Sequence, residues 1–188
     1  MPVWKGIVGK GFNATEFQQY VQTVKLGAWR PQFVVLHNTY IPRLSDWYKV
    51  SGQQRMKNLE QYYRDIRHWS GGPHLFVADD LAWVFTPLDT PGVHSPSWNV
   101  ISWGVELVGD YSVEDLSPGV QENATQALAA LCGLAGINPD GMRLHKEDPR
   151  TTHKDCPGVR VVKNDVIGMV TACLADRFPG EHIPGALA

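Results

Sequence analysis

Apolar positions along this chain change their period several times, and each change marks an element. FQQYVQTV (17–24) reads as a short helix ending before Pro31. Phe33–Leu36 (FVVL) is an unbroken aromatic and β-branched run, predicting a buried strand that ends at His37. Ile41–Ser51 has no such period and reads as a loop. In Gln53–His68, residues Met56, Leu59, Tyr62, Tyr63 and Ile66 recur three or four apart, which predicts an amphipathic helix. Ser70-Gly71-Gly72-Pro73 breaks it. His74–Ala78 (HLFVA) and Ala82–Phe85 (AWVF), joined through Asp79-Asp80, read as a hairpin. Thr86–Asn99 is a proline-rich loop long enough to suggest a function. Val100–Val108 (VISWGVELV) is a strand placed centrally. Ser117–Ala135 is a helix with Leu128, Leu131 and Leu134 inward and Pro118 in its first turn, and Lys163–Arg177 is a closing helix. Strands interspersed with helices, without repeats or linkers, predict an α/β fold: one domain over 1–188 (core about 30–178, tail 179–188), with a central mixed β-sheet flanked by helices.

At 188 residues with 43% hydrophobic content, the chain can bury one full core. A formal charge of −2 with 19% charged residues lacks the basic footprint of a nucleic-acid binder. No stretch approaches the ~20 apolar residues that span a bilayer. The N-terminus has no apolar run of signal-peptide length, so synthesis in the cytoplasm without a signal peptide is expected. Seven tryptophans and thirteen prolines suit aromatic-lined loops around an extended polymer or peptide. Cys132 and Cys173 lie in apolar helical patterns and read as buried thiols, with a disulfide between them as the alternative. Cys156 is different, lying in a polar loop beside Pro157.

That loop belongs to Leu144–Gly158 (LHKEDPRTTHKDCPG), which concentrates His145, His153, Lys154 and Cys156 far downstream of His37. Imidazole and thiolate are ligands that Zn²⁺ prefers, and three protein ligands leave one position open for catalysis. The chain therefore reads as a zinc hydrolase. Either His145 or His153 could share a metal with Cys156, and spacing does not choose between them. A strand-end histidine such as His37 is otherwise a hydrogen-bonded structural residue. In SWGVELV, alternation sets Val105 and Leu107 on one face and Gly104 and Glu106 on the other. A carboxylate inside an apolar strand is either a paired structural ion or a general base whose pKa its surroundings raise. Lys154 is either a solubilising charge or an ammonium able to stabilise an oxyanion.

VVLHNT, GPHLFV, GVEL and the H…T-H-K-D-C-P-G block occur in an order that resembles the type-2 N-acetylmuramoyl-L-alanine amidases. That superfamily includes phage endolysins, bacterial recycling amidases and peptidoglycan recognition proteins. The resemblance covers most of the chain, from Phe33 to the closing helix. It implies one Zn²⁺ held by His37, His145 and Cys156, with His145 favoured over His153 because the family's second histidine opens the loop. It implies Glu106 as general base and Lys154 as the group polarising the scissile carbonyl. Some phage members carry a catalytic tyrosine just before the strand histidine. Pro73 stands there in this chain, so the base role falls on Glu106. His74, His94, Thr39, Trp98 and Asn99 are the candidates for substrate contact. The implied activity is hydrolysis of the amide between N-acetylmuramic acid and L-alanine in peptidoglycan, by a monomer. A phage or prophage endolysin, released to the wall in the host periplasm, is the expected setting. A cytosolic recycling amidase acting on soluble muropeptides is the alternative. A non-catalytic peptidoglycan-binding module, a zinc peptidase cutting a stem-peptide bond and a structural or absent metal are further alternatives.

Overall fold

The computed structural model describes residues 3–177, so the expected tail lies outside the described residues. Its strands are β1 (Lys10–Phe12), β2 (Phe33–Asn38), β3 (Leu75–Val77), β4 (Ala82–Val84), β5 (Ser102–Leu107) and β6 (Arg143–Leu144). They form one mixed sheet in the order β1-β4-β3-β5-β2-β6. β3, β5, β2 and β6 run parallel to one another, while β4 pairs antiparallel with both β3 and β1. The continuous apolar runs of β2, β3 and β5 suit strands covered on both faces.

The helices are α1 (Ala14–Thr23), α2 (Leu44–Trp47), α3 (Gly52–Gln61), α4 (Pro118–Ala135) and α5 (Lys163–Arg177). Residues of α1, α4 and α5 form the main core with one sheet face, through Val34, Leu36, Val105 and Leu107. On the opposite face a smaller cluster joins Trp47 and Met56, from α2 and α3, to Phe76, Trp83 and Phe85. Asn13 and Glu16 close a capping box on α1. Ser117 caps α4, Pro118 opens it and Gly136 ends it in the left-handed region at φ 65°. Among the described residues no helix is long and apolar enough to cross a membrane.

Several expectations need correction. β1 and β6 escape the pattern reading because two or three residues cannot display a period. Packing starts well before residue 30, since β1 joins the sheet and Phe17 and Val21 of α1 enter the main core. The segment 41–51 holds the short helix α2. α3 stops at Gln61, and Tyr62–Ile66 continues as one π-helical turn. The extra residue in that turn rotates the succeeding side chains by roughly 100°. Ile66 consequently stands exposed instead of completing the apolar face, and Tyr62, at the start of the turn, is exposed as well. Cys132 and Cys173 are free thiols, and Cys173 is only half-buried.

Gly52 opens α3 directly on the Trp83 indole, where a Cβ would sit 1.9 Å from Cζ2. Helix propensity alone would favour alanine by about 1 kcal/mol, whereas forcing a methyl into a packed site costs about 1–3 kcal/mol. Gly52→Ala should therefore lower the urea midpoint, while Gly27→Ala, with no neighbour within 4 Å, should leave it nearly unchanged. Equal midpoints for the two variants would show that the indole yields.

Candidate metal centre

Parallel pairing of β2 with β5 sets His37 directly opposite Glu106 near the strands' C-terminal ends, where open α/β sheets present functional groups. β6 pairs Leu144 with Leu36, so His145, the next residue, emerges beside His37 with ring centroids 4.3 Å apart. The loop then returns, tied by a hydrogen bond from the Lys146 amide to the Cys156 carbonyl at 2.9 Å. One ligand atom from each of His37, His145 and Cys156 lies within 4.8 Å of the others. Cys156 Sγ is 4.0 Å from His37 Nδ1. His153 is exposed and stands outside this trio, stacked on His145 at 5.4 Å.

Burial decides the electrostatics. It holds His37 well below the usual imidazole pKa, reinforced by His94, His145 and His153. It brings His145 down to about 4 and His94 to about 3. The Cys156 thiol is pushed up by burial, with the Glu106 charge adding to it. The centre thus gathers uncharged lone-pair donors. A tetrahedral zinc spaces its nitrogen and sulfur ligands roughly 3.6 Å apart, so the 4.0 Å between Cys156 Sγ and His37 Nδ1 would need only a small contraction. His37 Nε2 meets His94 Nδ1 at 3.1 Å, and His145 Nε2 meets the Thr151 hydroxyl at 2.9 Å. Glu106 is half-buried, its Oε2 closed off without a hydrogen-bond partner, and burial lifts its pKa to about 8.

These groups line a cleft of about 570 Å³. Tyr40, Ile41, Tyr62, Tyr63, Arg67 and Trp69 also line it, and the pattern reading missed their role. Tyr63 and Trp69 stack at 5.2 Å, with the Arg67 guanidinium 5.1 Å from the Trp69 ring. The clue was the run of aromatic and basic residues around the π turn, which the helical count assigned to a core face. Thr39 lines the cleft, its hydroxyl accepting from the Gly109 amide at 3.0 Å and donating to the Pro42 carbonyl at 2.7 Å. His94 lines it too, but its ring is turned to His37.

Three of the expected substrate contacts have other work. His74 is fully buried: its Nδ1 accepts from the Gly104 amide and its Nε2 faces the Thr90 carbonyl, each at 3.0 Å. Trp98 packs edge-on against Phe33 at 5.6 Å. Asn99 Oδ1 accepts the amides of His94 and Ser95, both at 2.7 Å. None of the three lines the cleft. Lys154 is exposed on the loop and likewise absent from the cleft wall, though its charge acts on His145.

The sequence model of the N-acetylmuramoyl-L-alanine amidase family matches residues 28–159. The chain is 26% identical over 132 residues to peptidoglycan-recognition protein LB of Drosophila melanogaster, covering 69% of this chain and 55% of that protein. It is 26% identical over 132 residues to the human N-acetylmuramoyl-L-alanine amidase, covering 67% of this chain and 22% of that protein. The chain thus spans about half and about a fifth of these relatives. In fold it is similar to the endolysin amidase LysCS from Clostridium intestinale (TM-score 0.61, 21% identity, 76% of this chain and 85% of that one). It is also similar to the endolysin of the Thermus scotoductus bacteriophage Ph2119 (TM-score 0.55, 22% identity, 81% and 94%). A third similar structure is a mutant of Drosophila PGRP-LB in complex with tracheal cytotoxin (TM-score 0.61, 21% identity, 73% and 81%).

The raised pKa of Glu106 has a measurable consequence for the metal-free protein. The folded state keeps this proton up to about pH 8, whereas the unfolded chain releases it near the ordinary value of 4.5. Between these values the native state binds more protons, so the Glu106 contribution to stability falls as pH rises. The slope is at most about 1.4 kcal/mol per pH unit. His37, His94 and His145, held neutral by burial, act in the opposite sense at low pH. The parent-minus-variant difference for Glu106→Gln isolates the carboxyl. Urea unfolding across pH 4.5–8 with a chelator present should show the parent losing stability relative to Glu106→Gln. Parallel curves would mean that the proton is not held.

Proposed function

The chain belongs to the N-acetylmuramoyl-L-alanine amidase family, and on that premise we propose that it is a zinc amidohydrolase cutting the bond between N-acetylmuramic acid and L-alanine in peptidoglycan. One observation carries this reading: two imidazoles and a thiol converge within 4.8 Å beside an unpartnered carboxylate that strand register sets opposite His37. A pure binding module has no use for a buried acid left without a partner, since that arrangement costs stability. The nitrogen and sulfur donor set suits zinc better than the oxygen-seeking cations.

In this reading His37, His145 and Cys156 hold the ion. A bound zinc would polarise the amide carbonyl, acidify a water and favour the ionised forms of Cys156 and Glu106. Glu106 takes the proton of the attacking water and returns it to the departing alanine nitrogen. A pKa near the working pH suits both halves of that transfer. Lys154, two residues before Cys156, supplies positive charge to the tetrahedral oxyanion, its exposed stem free to reach inward when substrate is bound. Tyr63, Trp69 and Arg67 offer stacking and charge to the glycan and stem peptide along the cleft. The setting proposed is that of an endolysin, made in the cytoplasm and reaching the wall after release.

The purified protein should carry one zinc per chain by elemental analysis, and stripping it should abolish release of new alanine N-termini from sacculi. Glu106→Gln should keep the zinc and lower kcat by about 10²–10⁴. Full activity after chelation would refute the metal assignment, and near-parent turnover by Glu106→Gln would refute the base. Cleavage of soluble muropeptides with intact sacculi untouched would replace the endolysin role with recycling.

A further inference from the structure

We infer that His94 is a positioning residue that fixes which ring nitrogen His37 offers to the metal, through a chain of hydrogen bonds anchored on a backbone carbonyl. This inference rests on the zinc reading above for its purpose, but not for its geometry.

The direction of the chain is set by its last member. His94 Nε2 lies 3.3 Å from the Ser102 carbonyl, which can only accept. The proton of that contact must therefore sit on His94 Nε2. A neutral imidazole carries one N–H, so His94 Nδ1 is left bare as an acceptor. The atom facing it at 3.1 Å is His37 Nε2, which must then be the donor. His37 Nδ1 keeps its lone pair, and this is the nitrogen that faces Cys156 Sγ at 4.0 Å. A peptide carbonyl cannot reverse its role, so the whole chain has one polarity. The free ring of His37 would otherwise populate both tautomers and offer the wrong nitrogen for part of the time.

His94 is itself held with unusual thoroughness. A Cβ at position 104 would stand 2.3 Å from His94 Cγ, so the ring lies flush on Gly104. Asn99 Oδ1 takes the His94 and Ser95 amides. The Ser95 hydroxyl and the Ser97 amide both donate to Asp148 Oδ2. The Asp148 amide closes the turn begun by His145, donating to its carbonyl at 3.0 Å. The loop that orients the first ligand is thus bound to the segment that carries the second. This assigns Asn99 and Asp148 a purpose as well. They keep the histidine pair in register with His145, and neither approaches the cleft as a contact for substrate.

Two measurements test the inference. Long-range ¹H–¹⁵N NMR of the metal-free full chain reads the tautomers directly. His37 and His94 should both appear as the Nε2–H form, and a His37 Nδ1–H form would overturn the proposal. In the second, zinc affinity is measured by chelator competition for His94→Asn, whose side-chain oxygen can accept near the position of Nδ1, and for His94→Leu, which cannot. His94→Leu should bind about 10–100-fold more weakly, with His94→Asn within several-fold of the parent. Parent-like affinity in His94→Leu, or equal losses in both variants, would overturn it. Should His94→Leu fail to fold, the tautomer measurement on the unaltered chain decides alone. A parent that binds no zinc would sink the zinc reading, while the NMR result would still judge the His37–His94 chain.

Discussion

The parallel pairing of β2 with β5 is the constraint on which the site depends. Its register aligns His37 with Glu106, and the same alignment stacks Val35 beside Gly104, leaving room for the His94 ring. Strand side chains alternate, so a slip of one residue would turn His37 and Glu106 into the core beneath the long helices. Val34, Leu36, Val105 and Leu107 prevent that slip, because each is almost wholly buried against α1, α4 and α5. The site therefore does not hold itself together. Its geometry is imposed by apolar packing on the opposite side of the sheet, and polar groups on the open side can remain unpaired.

One does: Glu106 Oε2 has no hydrogen-bond partner. The centre combines neutral imidazoles, a protonated thiol and a carboxyl with one oxygen left unsatisfied, each less stable buried than in water. Such groups add nothing to stability by themselves. They are kept in place by the apolar packing of the main core on one face and the Trp47–Phe76–Phe85 cluster on the other. The interactions that do form around the trio are directional: Thr151 on His145, His94 on His37 and Lys146 on the returning loop. They orient the ring nitrogens instead of saturating them, which is the arrangement the proposed zinc reading requires.

Much of this was legible in local pattern. FVVL ending at His37 reads as a buried strand with a histidine at its tip, and alternation in SWGVELV separates Glu106 from its apolar neighbours without any tertiary knowledge. The loop 144–158 declares itself by composition. Local pattern could not supply adjacency. The choice between His145 and His153 turns on β6, a two-residue strand that places Leu144 beside Leu36 and has no period of its own. His74 begins a run that reads correctly as a strand, yet β3 lies between β4 and β5, so its ring is sealed in by Gly104 and Thr90. Ile66 carries helical spacing, but a π turn spends one extra residue and moves it into solvent. Trp98 and Asn99 lie in a loop that is functional in position, yet they brace it instead of facing the cleft.

The protonation behaviour of the cleft also narrows the chemistry. Among the buried and half-buried titratable groups that line it, burial drives His37, His94 and His145 down, so they stay neutral near pH 7. It drives Cys156 up, and with Glu106 it drives Tyr63 up, so both retain their protons in the metal-free state. A phenol that cannot ionise beside a carboxyl can donate a hydrogen bond but cannot serve as a base. Glu106 alone in that set has a pKa, about 8, that lets it exchange a proton near neutrality without a large thermodynamic penalty in either direction. The proposal of Glu106 as the base thus rests on the environment that β5 creates around one carboxylate as much as on the motif in which it sits.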